Sequence, residues 1–166
     1  MAEKNILVKE TLEHAGIFNF SEFYEYAYRW FKEEGYGVVE DKYAEKVSGA
    51  NRDITVEWKA SHGINDYFSM EIAMKLEVTG ASDVEVEIEG IKKKMNKGRF
   101  RMDIKGTLIR DPSSKWDSSP FNSFLRGLYN KYIVPGQIST QEERVKGDVK
   151  DFKESLKSLL ELQGRR

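Results

Sequence analysis

The chain has 166 residues, of which 39% are hydrophobic and 33% charged, and its net charge is −1. These values predict one globular domain spanning residues 1–166. They exclude a disordered chain, which would have fewer apolar residues or a larger net charge. The sequence contains no cysteine, which excludes disulfides, thiolate metal ligands and cysteine nucleophiles.

The sequence has no apolar run of the roughly 20 residues that a membrane-spanning helix needs. Its first residues, MAEKNILVKE, lack the apolar core of a cleavable signal, so we expect a cytoplasmic protein. The absence of cysteine, together with abundant lysine and glutamate, favours a thermophilic source.

The first two predicted elements are a strand and a helix rich in aromatic residues. Ile6, Val8 and Leu12 alternate with polar residues, which predicts a strand that ends near residues 14–16. A helix is predicted over residues 20–34, because Asn19 followed by Glu22 is typical of a helix N-terminal cap.

A long run of alternating residues follows a second strand, which is predicted around Val39, Tyr43 and Val47. From residue 53 to residue 110 the apolar side chains stand at even-numbered positions. This period of two predicts an antiparallel meander with one dry face and one wet face. The predicted strands are 53–61, 66–79, 83–92 and 98–110, and the predicted turns are 62–65, 80–83 and 93–97.

Two more helices are predicted after the meander. Pro120 precedes a short apolar pattern over residues 121–133. A longer helix is predicted over residues 140–162, where Thr140 and Glu143 match a capping box. Its apolar stripe consists of Val145, Val149, Phe152, Leu156, Leu159 and Leu160.

The sequence therefore predicts an α+β fold, in which a curved antiparallel sheet of about six strands packs against a long C-terminal helix, with two further helices. This order of elements resembles the START and Bet v1-like (helix-grip) superfamily of hydrophobic-ligand binders, although no sequence motif supports the resemblance. The resemblance implies a cavity between sheet and final helix that takes a lipid-like ligand. A sandwich with a solid core is the alternative.

The first candidate site is the dry face of the meander, which is rich in methionine and aromatic residues. Methionine is flexible and polarizable and suits surfaces that accept varied apolar shapes, although it also fills gaps in ordinary cores. We expect an apolar or amphipathic small molecule to be bound there without catalysis. The predicted ligand-binding residues are Trp58, Phe68, Met70, Met74, Phe100, Met102, Phe152 and Leu156.

The second candidate is a basic hairpin. Lys92, Lys93, Lys94 and Lys97 cluster at a predicted turn and would suit an anionic membrane or a nucleic acid. Folding about residues 94–95 would place Glu89 opposite Arg99, and Glu87 opposite Arg101. Those two arginines would then be structural, because opposite charges across strands stabilise a sheet.

The third candidate is a homodimer interface on the aromatic helix. Eight of the twenty aromatic residues of the chain lie within Phe18–Phe31. A helix that is apolar over so wide an arc normally has more than one contact surface. The second surface is such an interface, a wall of a ligand pocket, a membrane-facing patch or a contact with the predicted helix 121–133.

Evidence for catalysis is thin, and no cofactor or metal site is predicted. His14 and His62 are the only histidines, and both lie in predicted turns. Glu85, Glu87 and Glu89 share a strand face, where pairing with arginine is a simpler explanation than acid–base chemistry. The segment Glu85–Lys94 resembles the alternating acidic and basic strands of the CYTH triphosphate-tunnel enzymes, but the N-terminal signature of that family is missing. The sequence favours binding over catalysis.

Overall fold

The computed structural model describes residues 3–65, 67–110, 124 and 135–164. Within these residues one antiparallel sheet has the strand order β1-β5-β4-β3-β2 and is accompanied by two long helices. The elements are β1 Glu3–Phe18, α1 Phe20–Glu33, β2 Gly37–Ser48, β3 Asn51–Gly63, β4 Phe68–Ile88, β5 Ile91–Arg110 and α2 Pro135–Gly164. The predicted α+β class is confirmed, with five strands instead of about six. The predicted helix 121–133 lies outside the described residues.

The N-terminus of α1 is fixed by side chains from three elements. The Asn19 side chain accepts a hydrogen bond from the backbone N–H of Glu22 at 3.1 Å, which confirms the predicted cap. Asn96 on β5 accepts from the N–H of Phe20 at 2.9 Å, and Gln163 on α2 accepts from that of Asn19 at 3.2 Å. These bonds satisfy donors that a helix leaves open and tie α1 to both neighbouring layers.

The sheet has an inner face, formed by the even-numbered residues of 54–60, 68–78 and 100–108, and an outer face, formed by the odd-numbered residues of the same segments. The predicted alternation is confirmed over these segments, because the inner side chains are buried and most outer ones are not. Both helices cover the inner face. The buried residues that α2 contributes are Val145, Val149, Phe152, Leu156 and Leu160.

Gly106 sets how closely α2 approaches the sheet. A methyl group at this position would lie 2.7 Å from Val149 Cγ2, 2.9 Å from Val145 Cγ1 and 2.9 Å from Val8 Cγ1. These distances are shorter than side chains tolerate, so the absence of a side chain lets the two valines of α2 rest directly on the backbone of β5.

The predicted turn at residues 80–83 is wrong, because β4 runs through it. The register shifts between Thr79 and Ser82, so two residues of β4 oppose one residue of β5. Gly80 has a φ of 63°, and its N–H donates to Asp53 Oδ1 at 2.8 Å. Such a bulge exchanges the faces of the residues that follow it. Val84, Val86 and Ile88 therefore leave the inner face on which the sequence pattern had placed them.

The predicted turn at residues 93–97 is also wrong. The hairpin turns at Glu89 and Gly90, which both have positive φ, at 50° and 80°. Two positive values are the signature of a tight two-residue hairpin turn. Glu87, which was predicted opposite Arg101, consequently lies opposite Lys92, nine residues away.

The prediction for the start of the last helix is wrong as well. The helix begins at Pro135 instead of residue 140, so Thr140 and Glu143 lie inside α2 and do not form its cap. Proline is favoured in the first turn of a helix, where its missing N–H costs no hydrogen bond.

We predict that Gly106→Ala lowers the free energy of unfolding by about 1–3 kcal/mol, because the new methyl group overpacks the contact with α2. Urea denaturation followed by circular dichroism measures this change.

Gly147→Ala is the matched control, since a methyl group at Gly147 on α2 would meet nothing within 4 Å. Alanine is the better helix former, so this variant should be as stable as the parent or up to about 1 kcal/mol more stable. Equal stability of the two alanine variants would contradict the close approach at Gly106.

Candidate functional site

The eight predicted ligand-binding residues all lie in the core. Each is between 0% and 3% exposed, and all belong to one cluster of contacting side chains between the sheet and the helices. A ligand among them would have to separate side chains that already touch. Trp58 differs from the others because its ring also meets residues at an open edge of the molecule.

The open edge is a groove between the first half of α1 and β2, which we call the α1–β2 groove. Its volume is about 430 Å³, and its lining residues are Phe20, Ser21, Tyr24, Glu25, Glu40 and Tyr43. The lining thus combines three aromatic rings with two carboxylates and includes no lysine or arginine among the described residues.

The aromatic side of the groove comes from helical spacing on α1. Phe20 and Tyr24 are four residues apart and therefore share a face of the helix, with ring centroids 6.0 Å apart. The Tyr24 ring meets Tyr43 of β2 at 6.1 Å and Trp58 of β3 at 4.9 Å, both edge to face. This is the preferred arrangement of aromatic pairs, so the groove wall is preformed.

Glu40 provides a carboxylate at the base of these rings. Its Oε2 accepts a hydrogen bond from Trp58 Nε1 at 2.8 Å and another from the Tyr24 hydroxyl. Glu40 stands opposite Trp58 in the register of β2 and β3, and the register shifts directly after it. Glu40 thus lies on the helix side of the sheet, and the bulge after it places Tyr43, opposite Val56, on the same side.

Burial and the neighbouring Glu40 carboxylate raise the pKa of Tyr24 to about 12. Burial, followed by the charges of Glu45 and Glu40, also raises the pKa of Tyr43. Both hydroxyls therefore stay protonated at neutral pH, and Tyr24 remains a hydrogen-bond donor to Glu40.

A second polar cluster lies where β3 meets the start of α2. The hydroxyl of the buried Tyr36 donates to Asp148 Oδ2 at 2.7 Å, and burial with this bond raises the pKa of Tyr36. His62 Nδ1 lies 2.8 Å from the Gly35 carbonyl oxygen. These contacts hold the chain after α1 against β3 and α2.

The histidine predictions need correction, because both residues lie in strands. His62 is in β3 and His14 is in β1, where His14 Nε2 lies 3.0 Å from the Ile17 carbonyl oxygen. In each histidine one ring nitrogen contacts a backbone carbonyl oxygen, that of Ile17 in the same strand for His14 and that of Gly35 after α1 for His62. In the part of the chain that the structure describes, no group of three or more His, Asp or Glu residues is placed to hold a metal.

The basic hairpin has a different register from the one predicted. Lys92 lies opposite Glu87 and Lys94 opposite Glu85, and Lys94 Nζ is 3.4 Å from Asp83 Oδ2. The predicted pairs of Glu89 with Arg99 and of Glu87 with Arg101 are wrong, since Arg99 faces Thr79 and Arg101 faces Glu77.

The hairpin is therefore not a purely cationic surface. Lys93 lies opposite Val86, and Lys97 lies between Ser82 and Ile17. Over residues 82–97 four acidic residues balance four lysines. Binding of an anionic membrane or nucleic acid here stays a prediction.

Most of the aromatic surface of α1 is used inside this chain. Phe18, Phe23 and Phe31 are buried, and the Phe31 ring contacts Phe152 of α2 at 4.4 Å. Tyr28 is the large aromatic residue of α1 that is mainly exposed, at 41%. The homodimer through Phe18–Phe31 stays a prediction.

Comparison with known proteins gives no family: no family model matches the chain, and neither do curated proteins or solved structures. Among the described residues, no helix combines the length and apolar character needed to cross a membrane.

We predict that Tyr24→Phe destabilises the protein at pH 8 and that this difference shrinks as pH rises through 10 towards 12. The folded protein holds the Tyr24 proton more tightly than the unfolded chain, so the stabilisation is present below pH 10 and is lost above it. Thermal unfolding midpoints between pH 8 and 11 measure the effect.

Tyr26→Phe is the control on the same helix, because the Tyr26 hydroxyl has no hydrogen bond to any described residue. At pH 8 this variant should lower the unfolding midpoint less than Tyr24→Phe does, because it removes no such hydrogen bond. A Tyr24→Phe difference that stays constant up to pH 11 would contradict the bond to Glu40.

Proposed function

We propose that this protein binds an amphipathic, lipid-like small molecule without catalysis, in the α1–β2 groove, with a cationic head group at Glu40. The observation that carries the proposal is the position of the Glu40 carboxylate below the rings of Tyr24, Tyr43 and Trp58. Ring faces and a carboxylate both attract a cation, and an alkylammonium group makes favourable contacts with aromatic rings within about 6 Å.

The charge of the groove supports a cation over an anion. Glu25 and Glu40 line it, and one oxygen of Glu40 already accepts hydrogen bonds from Tyr24 and Trp58. No described residue donates a hydrogen bond to the second oxygen of Glu40, which is therefore available to a ligand. An anionic head group would be repelled by both carboxylates.

The surroundings of the groove support an apolar tail. The Trp58 ring packs against Tyr24 on one side and against Phe31 on another, with ring centroids 6.3 Å apart in the second pair. The groove therefore adjoins the aromatic core below α1. Tyr43, at 46% exposed, and Val47, at 65%, continue the apolar surface from the groove along the same face of β2. An alkyl chain along this edge would remove apolar surface from water.

The predicted cavity between sheet and final helix is a second route for the tail. The order of strand, helix, meander and long helix supports a likeness to helix-grip proteins, in which that space takes the ligand. The tight contact of α2 with Gly106 and the full burial of the eight predicted residues favour the groove as the place of first binding.

The proposal predicts that decyltrimethylammonium binds more tightly than decyl sulfate, which has the same chain length and the opposite charge. Isothermal titration below the critical micelle concentration of each detergent measures both affinities. Glu40→Gln should weaken decyltrimethylammonium binding by about tenfold, equivalent to about 1.4 kcal/mol. It should leave decyl sulfate binding unchanged or improved.

Glu33→Gln, near the far end of α1, is the control for a change of one charge and should bind like the parent. Equal affinity for the two detergents, or no binding of either, would contradict the proposal. Equal effects of the two glutamine variants would also contradict it.

A further inference from the structure

The outer face of the sheet carries a row of three lysines around one small residue. Lys9 of β1 lies directly opposite Lys105 of β5, Lys105 lies opposite Ala73 of β4, and Ala73 lies opposite Lys59 of β3. We call Lys9, Lys105 and Lys59 the lysine row. These residues line a depression of about 360 Å³, together with Lys75 and with acidic residues at its margins.

Neighbouring rows of the same face do not repeat this pattern. In the next row Asp103 lies beside Lys75, which lies opposite Glu57. In the third row Arg101 stands between Glu13 and Glu77. Opposite charges across strands stabilise a sheet and like charges destabilise it, so the lysine row is the exception on an otherwise complementary surface.

The nearby acidic groups do not neutralise the centre of the row. Asp103 Oδ1 accepts a hydrogen bond from Thr11 Oγ1 at 2.9 Å and forms an ion pair with Arg101 Nη2 at 3.4 Å. Lys59 has a long contact of 3.8 Å with Asp41 at the edge of the depression. Lys9 and Lys105 have no ion pair or hydrogen bond with any residue that the structure describes. Two adjacent cations are therefore left uncompensated.

The small side chain of Ala73 leaves space for a ligand between Lys105 and Lys59. Adjacent strands are about 4.8 Å apart, so the backbones at Lys105 and Lys59 are about 10 Å apart across Ala73. The alanine methyl group leaves the space between them open. Flexible lysine stems from both sides can then bring their ammonium groups to an anion seated above it.

We propose that the lysine row binds the phosphate groups of a small phosphorylated molecule above Ala73. Lysine binds phosphate as a point charge, and a group with several negative charges would relieve the repulsion between Lys9 and Lys105. The depression is sized for a small molecule, and the acidic residues at its margins disfavour an extended polyanion such as a nucleic acid strand. This site is on the opposite side of the sheet from the α1–β2 groove and is independent of the function proposed there.

Inorganic pyrophosphate is the probe, titrated calorimetrically at low ionic strength, where such contacts are strongest. The parent should bind it, and the Lys105→Gln variant should bind at least about tenfold more weakly, since it loses a charge-assisted hydrogen bond. Without pyrophosphate, Lys105→Gln should be as stable as the parent or more so, because the repulsion from Lys9 is gone.

Lys46→Gln is the matched control, since it removes one exposed strand lysine that lies opposite Asp53 and outside the predicted anion-binding hairpin. It should bind pyrophosphate like the parent. Absence of pyrophosphate binding by the parent would overturn the proposal, as would equal losses in the two variants. Binding of a single-stranded oligonucleotide through Lys105, without binding of pyrophosphate, would also overturn it in favour of a nucleic acid surface.

Discussion

The structure depends on the contact that Phe31 makes between its layers. The centroid of the Phe31 ring on α1 lies 4.4 Å from that of Phe152 on α2, 5.7 Å from that of Tyr36 and 6.3 Å from that of Trp58 on the sheet. Phe31 is fully buried, so the three elements cannot separate without exposing a large apolar area to water. This contact fixes the C-terminal end of α1 over the sheet, while hydrogen bonds from Asn96 and Gln163 fix its N-terminal end.

The groove between α1 and β2 follows from this position. With both ends of α1 held, Phe20 and Tyr24 must lie beside the edge strand, where Glu40 and, after the bulge, Tyr43 face them. Trp58 links the groove to the core, since its indole ring both donates a hydrogen bond to Glu40 and packs against Phe31. Core packing and the polar chemistry of the groove are thus coupled through a single side chain.

The two faces of the sheet use charge and apolar surface differently. The inner face is closed by Val145 and Val149 of α2 over Gly106, which leaves little freedom for a guest there. The outer face is a pattern of charged rows whose complementarity fails where Lys9 lies opposite Lys105. Binding chemistry is therefore expected at the edge and on the outer face, where side chains can move without breaking the core.

The period of two in the meander and the 4-3 spacing of the last helix were enough to predict an α+β fold with a covered sheet. Alternation requires one buried face, and Val145, Val149, Phe152 and Leu156 could serve as its cover. The cap at Asn19 was predictable for the same reason, since its hydrogen bond is made within three residues. The eight predicted ligand-binding residues were recognised as one face, but their burial in a packed cluster was not evident from their spacing.

Apart from the start of α2 at Pro135, the main predictions that failed required knowledge of which residues stand opposite one another. An extra residue near Gly80 and a turn at Glu89–Gly90 shift the pairing, and no local pattern revealed either. The partners of Glu40 and the isolation of Lys105 likewise depend on residues far away in the chain. Sequence by itself determined the strands, helices and buried faces of this protein, because periodicity is local. Only the tertiary structure decided the register, and with it the groove and the lysine row, because register is set by contacts between distant segments.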